Sequence, residues 1–120
     1  MAAKDDLGRA GEDRAAHHLN HSGYRVVDRN WRCPEGELDL VAVRGREVVV
    51  VEVKTRRGDG YGDPLEAVDA RKQARLWRLA QRWRQEHPDH ATGRMLRLDV
   101  IGITGPDPRS GRLVHLEDIR

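Results

Sequence analysis

Hydrophobic positions recur with two different spacings along this 120-residue chain. Spacings of three and four residues predict a helix over 7–22, capped by Asp5 or Asp6 and ended at Gly23, and a second that begins between Pro64 and Asp69 and ends at Glu86. Alternation and β-branched residues predict strands over 24–31, 37–43, 46–54, 94–103 and 112–119. Loops are predicted over 33–36 and, as a mobile glycine-rich segment, over 58–63.

This order of elements, αβββαβ with one further strand, predicts an α/β fold in which a mixed central sheet is flanked by helices. The length suits one domain over residues 1–120 and is too short for two domains of ordinary size. Phe is absent, so the core must be built from Val, Leu, Ala and the three Trp residues.

Four charged residues of the strands 37–43 and 46–54 are predicted to share one face of a hairpin. Side chains alternate along a strand, so the face that carries Val48 and Val50 also carries Glu52 and Lys54. A two-residue turn at Arg44-Gly45 places Asp39 opposite Val50, and the remaining acid, Glu37, opposite Glu52. On this register Asp39 and Glu52 are diagonal neighbours roughly 7 Å apart at the backbone.

Clustered carboxylates on one face predict a metal site. Like charges that face each other destabilise a sheet unless a cation lies between them, and oxygen ligands suit Mg²⁺ or Mn²⁺. Asp39 and Glu52 are the predicted ligands, and Glu12 of the first helix is a third candidate whose placement depends on how that helix docks. Glu37 is either a ligand or a neighbouring group. Lys54 would orient a water nucleophile or offset charge developing on a phosphate.

The second helix carries basic residues without an acid between Arg71 and Arg84, although the formal charge of the whole chain is only +2. Such a surface attracts phosphates, and its alternative is an ordinary solvated helix face. The residues that would contact nucleic acid are Arg71, Lys72, Arg75, Arg78 and Arg82. Trp77 and Trp83 are predicted to pack in the core rather than to stack on bases.

Other candidate motifs are predicted to be structural. His17 and His21 have the spacing of a zinc-binding helix but lack the accompanying glutamate, so they are assigned to the surface. Asp99 is assigned to structural hydrogen bonds. Cys33 is the one cysteine, which excludes an internal disulfide and suits a reducing compartment. The chain lacks a segment apolar enough to cross a membrane. A cytoplasmic protein is therefore expected.

The segments Glu37-Leu38-Asp39-Leu40 and Val51-Glu52-Val53-Lys54 resemble the D…ExK core of the PD-(D/E)XK, restriction-endonuclease-like nuclease superfamily. Together with Gly8-Arg9-Ala10-Gly11-Glu12 and Arg97-Leu98-Asp99-Val100, they resemble the YraN-like bacterial proteins over nearly the whole chain. The resemblance implies a fold similar to that of archaeal Holliday-junction resolvases, with Asp39 and Glu52 as metal ligands. It also implies a catalytic role for Lys54 and Gln73. Glu12 would match the helix-one carboxylate of such enzymes.

These observations predict an Mg²⁺- or Mn²⁺-dependent endonuclease that acts on DNA, including branched or otherwise structured DNA, with a homodimer left open. Two other functions remain as alternatives. One is a nucleic-acid-binding or assembly module that keeps the nuclease fold without turnover. The other is a protein-interaction domain with no role on nucleic acid.

Overall fold

The structure is a computed structural model that describes residues 3–58, 66 and 68–120. Residues 3–5 are described by their backbone alone. The helices are α1 (Ala3–His21), α2 (Ala70–Glu86) and α3 (Pro88–Ala91), and the strands are β1 (Arg25–Cys33), β2 (Gly36–Arg44), β3 (Glu47–Arg56), β4 (Met95–Thr104) and β5 (Arg112–Leu116). One sheet has the order β1-β2-β3-β4-β5, with β3 and β4 parallel and the other pairs antiparallel. The predicted α/β class and the αβββαβ order are confirmed.

The two faces of the sheet bury separate apolar clusters. The α2 face packs Leu76, Leu79, Ala80 and Trp83 of the helix against the sheet, and the α1 face packs Ala15, Ala16 and Leu19. Within β3, Val48 and Val50 face α2, whereas Val49 and Val51 face α1. A strand covered on both sides needs apolar residues at every position, which accounts for the continuous valine run.

The turn between β2 and β3 lies at Gly45 and Arg46, not at the predicted Arg44-Gly45. Arg44 pairs with Glu47 and Val43 with Val48. The positive φ of 55° falls on Gly45, the first of the two turn residues, where type II′ hairpin turns carry glycine. The true register therefore differs from the predicted one by two residues. Because side chains alternate with a period of two, the predicted sharing of one face survives this correction.

The register also corrects the predicted partners of the acidic residues. Regular pairing of β2 with β3 ends at Leu40 and Val51. One further step in the same register brings Asp39, rather than Glu37, opposite Glu52. Glu37 instead pairs with Arg32 of β1, to which its carboxylate also forms a salt bridge of 3.1 Å.

The predicted end of α2 is confirmed, and the end of α1 and the start of α2 each differ from the predictions by one residue. Gly23 follows α1 with a positive φ of 87°, and α2 begins after the N-cap residue Asp69 and ends at Glu86. The start of α1 was wrong, because the helix begins at Ala3 and so includes the predicted caps Asp5 and Asp6. Ala and Lys favour extension of the helix, and acidic residues in a first turn complement its dipole without acting as caps.

The connection between β1 and β2 is shorter than the predicted loop over 33–36. Strand β1 continues to Cys33 and β2 starts at Gly36, which leaves Pro34 and Glu35 as the turn. Residues 59–63 of the predicted mobile loop lie outside the described residues. In the part of the chain that the structure describes, no helix is both long enough and apolar enough to span a bilayer.

Candidate functional site

Asp39 lies where the regular pairing of β2 and β3 ends. The backbone N–H of Val53 donates a 2.9 Å hydrogen bond to Asp39 Oδ2, so the carboxyl group takes the place of a backbone acceptor. Strict alternation would place Leu38 with Leu40 on the α1 face, but Leu38 packs with Val41 on the α2 face. The alternation of β2 is therefore interrupted around Asp39, and the carboxyl group lies between the two strands.

Glu52 is the immediate neighbour of Asp39 and is itself only 7% exposed. Burial, and next the charge of Glu52, raise the pKa of Asp39 to about 7, while the hydrogen bond from the Val53 N–H opposes both effects. A hydrogen bond also joins the two side chains. Asp39 therefore retains its proton up to about neutral pH in the free protein, since a second negative charge beside Glu52 is unfavourable.

Two lysines place their ammonium groups against the same oxygen of Glu52. Lys54 Nζ lies 3.5 Å from Glu52 Oε2, and Lys72 Nζ lies 3.0 Å from it. Lys54 follows Glu52 by two positions on β3 and so reaches the same face, as predicted from alternation. Lys72 comes from the first turn of α2, where its backbone N–H is capped by Asp69. Lys72 was predicted to lie on the surface that contacts nucleic acid, but the structure brings it into the acidic site.

Glu12 approaches the site because α1 packs tightly against the end of β3. A Cβ on Gly11 would lie 1.9 Å from Thr55 Oγ1, so only glycine permits this approach of the helix. Burial raises the pKa of Glu12, a hydrogen bond from Asn30 and the charge of Arg29 lower it, and Glu37 and Asp13 add smaller increases. The charge of Glu12 also acts on Asp39. Glu12 is therefore an electrostatic neighbour of the acidic pair.

The donor set fits a small divalent cation that keeps much of its water. Mg²⁺ is commonly held by one or two carboxylates and completes its octahedron with water and substrate oxygens. Asp39 and Glu52 provide such a pair. Among the described residues, no three His, Cys, Asp or Glu side chains form a group that could hold a metal ion. The assignment of Glu12 as a third ligand stays a prediction.

The acidic pair opens into a cleft between β2 and α2. This cleft has a volume of ≈ 210 Å³, and its lining consists of Gly36, Glu37, Asp39, Glu52, Lys72, Arg75, Leu76 and Leu79. A second cleft of ≈ 330 Å³ is lined by Glu35, Arg75, Arg78 and Leu79. Arg75 and Leu79 belong to both linings, so the two clefts lie side by side along α2.

The basic residues of α2 fall into two groups. Lys72 is paired with Glu52, and Arg82 is paired with both Glu35 and Glu86. Arg71, Arg75 and Arg78 are exposed, and within the described part of the chain none of them has a charged partner. These three arginines are therefore available to phosphates, whereas Arg82 would first have to leave its carboxylates.

Gln73 is hydrogen-bonded away from the acidic pair. Its side-chain N–H donates to the Val68 carbonyl at 3.2 Å, and the residue does not line the cleft described above. Its catalytic role stays a prediction. The position of Lys72 at the acidic site could have been predicted from the sequence. Lys72 precedes Leu76 by four positions and so lies on the same side of α2. Glu35, which reaches the neighbouring cleft from a tight turn, could not have been predicted in this way.

The residues assigned to structural roles have them. Asp99 is fully buried and accepts hydrogen bonds from Arg97, from His115 Nε2 at 2.7 Å and from the Asp118 N–H at 2.9 Å. Burial raises the pKa of Asp99, but these hydrogen bonds outweigh that effect and hold it below its usual range. Trp83 is completely buried and Trp77 packs against the same cluster. Neither is exposed as a platform for base stacking.

The chain is an α/β protein that carries Asp39 and the Glu52-Val53-Lys54 set on adjacent strands of one mixed sheet. The chain belongs to the uncharacterised protein family UPF0102, whose model matches residues 11–103. The predicted YraN-like family is thereby confirmed. Relatives include the UPF0102 protein of Paenarthrobacter aurescens (strain TC1), 50% identical over 99% of this chain and 97% of that protein. Another, from Frankia casuarinae, is 53% identical over 97% of each.

Solved structures give weaker likenesses. A complex of EndoMS with double-stranded DNA aligns with a TM-score of 0.40 and 20% identity over 79% of this chain and 35% of that one. SfsA of Pyrococcus furiosus in complex with Ca²⁺ aligns with a TM-score of 0.39 and 16% identity over 95% of this chain and 63% of that one. The double-stranded DNA and the Ca²⁺ in these complexes are ligands of those two proteins.

Proposed function

We propose that this protein is a metal-dependent endonuclease that hydrolyses phosphodiester bonds in DNA. The observation that carries the proposal is the close Asp39–Glu52 pair, with ammonium groups at its edge and a cleft that it shares with the unpaired Arg75. A merely structural acid would be enclosed in the core together with its partner, as Asp99 is with Arg97. Here the pair opens to solvent in a cleft that a phosphodiester can enter.

Asp39 and Glu52 would hold Mg²⁺ or Mn²⁺, and Glu12 is the proposed third oxygen donor. Bound there, such a cation lowers the pKa of a coordinated water and withdraws charge from a phosphoryl oxygen. The Val53 N–H keeps the Asp39 carboxyl group in one orientation. The carboxyl group therefore needs little rearrangement when it releases its proton and binds a cation. The burial of Glu52 strengthens its attraction to any cation.

Lys54 would act on the substrate from the edge of the acidic pair. Its ammonium group is 3.5 Å from Glu52 Oε2 and its side chain is about one-third exposed, so it lies between the carboxylate and solvent. From there it can orient the attacking water or stabilise charge that develops on the phosphate. Gln73 belongs to this proposal as a positioning residue, after rotation away from Val68.

The DNA substrate is proposed from the charge of α2. Arg71, Arg75 and Arg78 would bind backbone phosphates, joined by Lys72 and Arg82 when these leave their carboxylates. Backbone contacts alone carry no sequence information, so branched or otherwise structured DNA is the proposed substrate. A homodimer and a cytoplasmic location, the latter suggested by the single Cys33, are parts of the same proposal.

The proposal is tested by incubation of the protein with Mn²⁺ or Mg²⁺ and linear, flapped and four-way DNAs. We expect cleavage by the wild type and a loss of at least about 100-fold in the Asp39→Ala/Glu52→Ala double variant. Asp89→Asn removes an exposed carboxylate on α3, beyond the far end of α2, and should retain activity. Cleavage that persists in the double variant would contradict the proposal.

A second candidate function is a nucleic-acid-binding module without turnover. The observation that favours it is the Lys72–Glu52 salt bridge, which already supplies a cation to the acidic pair. Such a module would bind DNA with a steep dependence on salt, would be weakened by Arg75→Ala and Arg78→Ala, and would be indifferent to Lys54→Ala. Cleavage abolished by Lys54→Ala, with DNA binding retained, decides for the enzyme.

A further inference from the structure

Lys72 is bound to the oxygen that a metal ion would need. Its ammonium group lies 3.0 Å from Glu52 Oε2, closer than that of Lys54 at 3.5 Å. Glu52 is almost completely buried, whereas Lys72 keeps about a quarter of its side chain in solvent. Glu52 is therefore the fixed partner, and the four-carbon side chain of Lys72 is the partner that can move away.

The ammonium group of Lys72 and a divalent cation exclude each other at this oxygen. Buried charges require compensation, and in the free protein Lys72 provides it for Glu52. A dication at the carboxylate pair would stand within a few ångströms of that ammonium group and repel it strongly, because the effective dielectric constant of a half-buried site is low. Lys72 would then have to leave Glu52 for the open side of the cleft.

The open side of the cleft is where a phosphate would lie. Lys72 and Arg75 line the same cleft, which also contains both carboxylates, and Arg75 has no charged partner among the described residues. The backbone of Lys72 cannot follow its side chain, because its N–H is held by the N-cap Asp69 at 2.9 Å. Displacement therefore moves only the ammonium group, from Glu52 toward the position beside Arg75.

We propose that Lys72 is an exchangeable cation that occupies the metal position in the free protein and, once a divalent ion displaces it, binds a DNA phosphate together with Arg75. This inference rests on the proposed nuclease function. It makes metal and DNA binding mutually reinforcing, since metal binding frees a phosphate ligand and DNA retains the freed lysine. By linkage, each ligand must strengthen the binding of the other by the same factor.

The first measurement is calorimetric titration of the DNA-free protein with Mn²⁺. We expect Lys72→Met to bind Mn²⁺ about tenfold more tightly than the wild type, because the internal competitor is gone. Arg71→Met is the matched control: it removes the same charge from the preceding position of α2, but Arg71 is exposed and has no contact with Glu52. Arg71→Met should change the Mn²⁺ affinity by less than about twofold.

The second measurement is the affinity for a short four-way DNA with and without Ca²⁺, which takes the same oxygen ligands. Arg71→Met should start from weaker DNA binding because it lacks one proposed phosphate contact, but Ca²⁺ should strengthen its DNA binding by the same factor as that of the wild type. The strengthening should be several-fold less in Lys72→Met. Lys72→Arg keeps a competing cation and should retain weak Mn²⁺ affinity. If Lys72→Met does not fold, Mn²⁺ titration of the wild type with and without DNA tests the same coupling.

The outcomes separate this inference from the proposed function. Equal Mn²⁺ affinities in the wild type, Lys72→Met and Arg71→Met, in a protein that cleaves DNA, would overturn the role of Lys72 alone. Tighter Mn²⁺ binding in Lys72→Met, in a protein that cleaves no DNA, would support the displacement and contradict the nuclease. Absence of Mn²⁺ binding in all variants would overturn both.

Discussion

The Val53 N–H donates to Asp39 Oδ2 at the position where the backbone ladder between β2 and β3 has ended. A carboxyl group thus replaces a backbone carbonyl as the acceptor. The backbone of β3 therefore holds the side chain of Asp39, the candidate metal ligand, in place. A ligand held by the main chain of a neighbouring strand is oriented before any metal arrives. The adjacent Glu52 makes the arrangement unfavourable whenever both groups are charged.

The pH dependence of the free energy of unfolding can test whether a charged Asp39 beside Glu52 destabilises the fold. The pKa of Asp39 is raised from 3.8 to about 7, first by burial and then by Glu52. The folded protein therefore retains a proton that the unfolded chain releases, and the free energy of unfolding should fall as pH rises from about 4 to about 7. Asp39→Asn cannot ionise, yet its side-chain oxygen can still accept from Val53. It should exceed the wild type by on the order of 1 to 4 kcal/mol near pH 8.

Urea unfolding at several pH values, with a chelator present, checks this expectation. The two proteins should converge below about pH 3, where Asp39 is protonated in both states. Asp89→Asn, which removes an exposed carboxylate, should follow the wild type throughout. A stability of Asp39→Asn below that of the wild type near pH 8 would show that the carboxylate is compensated in a way this geometry does not provide.

The packing of α1 against β3 gives a second prediction, based on two glycines one turn apart. A Cβ on Gly11 would lie 1.9 Å from Thr55 Oγ1 and 3.0 Å from Thr55 Cβ, whereas a Cβ on Gly8 would meet nothing within 4 Å. Gly11→Ala must push the helix from the sheet and should destabilise the protein by about 1 to 3 kcal/mol. Gly8→Ala should stabilise it by about 0.5 to 1 kcal/mol through helix propensity alone.

Thermal unfolding of the two variants decides the matter. Because Glu12 follows Gly11 directly, Gly11→Ala should also weaken any activity that depends on Glu12, while Gly8→Ala should leave it intact. Equal stabilisation by both substitutions would show that α1 does not approach Thr55 as closely as described.

The sequence predicted the face of the acidic cluster better than its pairing. Alternation along β3 depends only on local geometry, so the placement of Glu52 and Lys54 survived a two-residue error in register. The error arose because one glycine suits more than one position in a tight turn. No local rule predicts that Asp39 replaces a carbonyl in the ladder, since that depends on where the two strands separate.

The role of Lys72 shows the same limit on the helix. Spacing from Leu76 and Leu79 places both Lys72 and Gln73 near the buried side of α2, and only the position of the helix on the sheet decides between them. The structure directs Lys72 to Glu52 and Gln73 to the Val68 carbonyl. A long side chain can reach across a helix to a charge, which sequence spacing does not capture.

The acid sensitivity of the fold should be governed by Asp99. Hydrogen bonds hold its pKa below the usual range, so its charged form contributes stability that is present above the pKa of the unfolded chain and is lost as pH falls through the lower, folded pKa. Asp99→Asn should therefore flatten the acid side of the stability profile, below about pH 4, while Asp39→Asn should flatten its neutral side. The measurement is urea unfolding at pH values from below about 4 to about 8. A wild-type profile without an acid limb would contradict the assignment.

Removal of the Asp99 carboxylate should be far more damaging than removal of an exposed one. Asp99→Ala leaves Arg97, whose side chain is only 10% exposed, and His115 without their shared acceptor, and we expect a loss of about 3 to 5 kcal/mol. Asp13→Ala breaks an ion pair of similar length, 2.7 Å to Arg29, but both of its partners are well exposed, so the loss should be below about 1 kcal/mol. A double-mutant cycle of Asp99→Ala with Arg97→Met isolates their coupling. Additive losses in that cycle, measured by urea unfolding at neutral pH, would mean that Arg97 and Asp99 are held independently by their other partners.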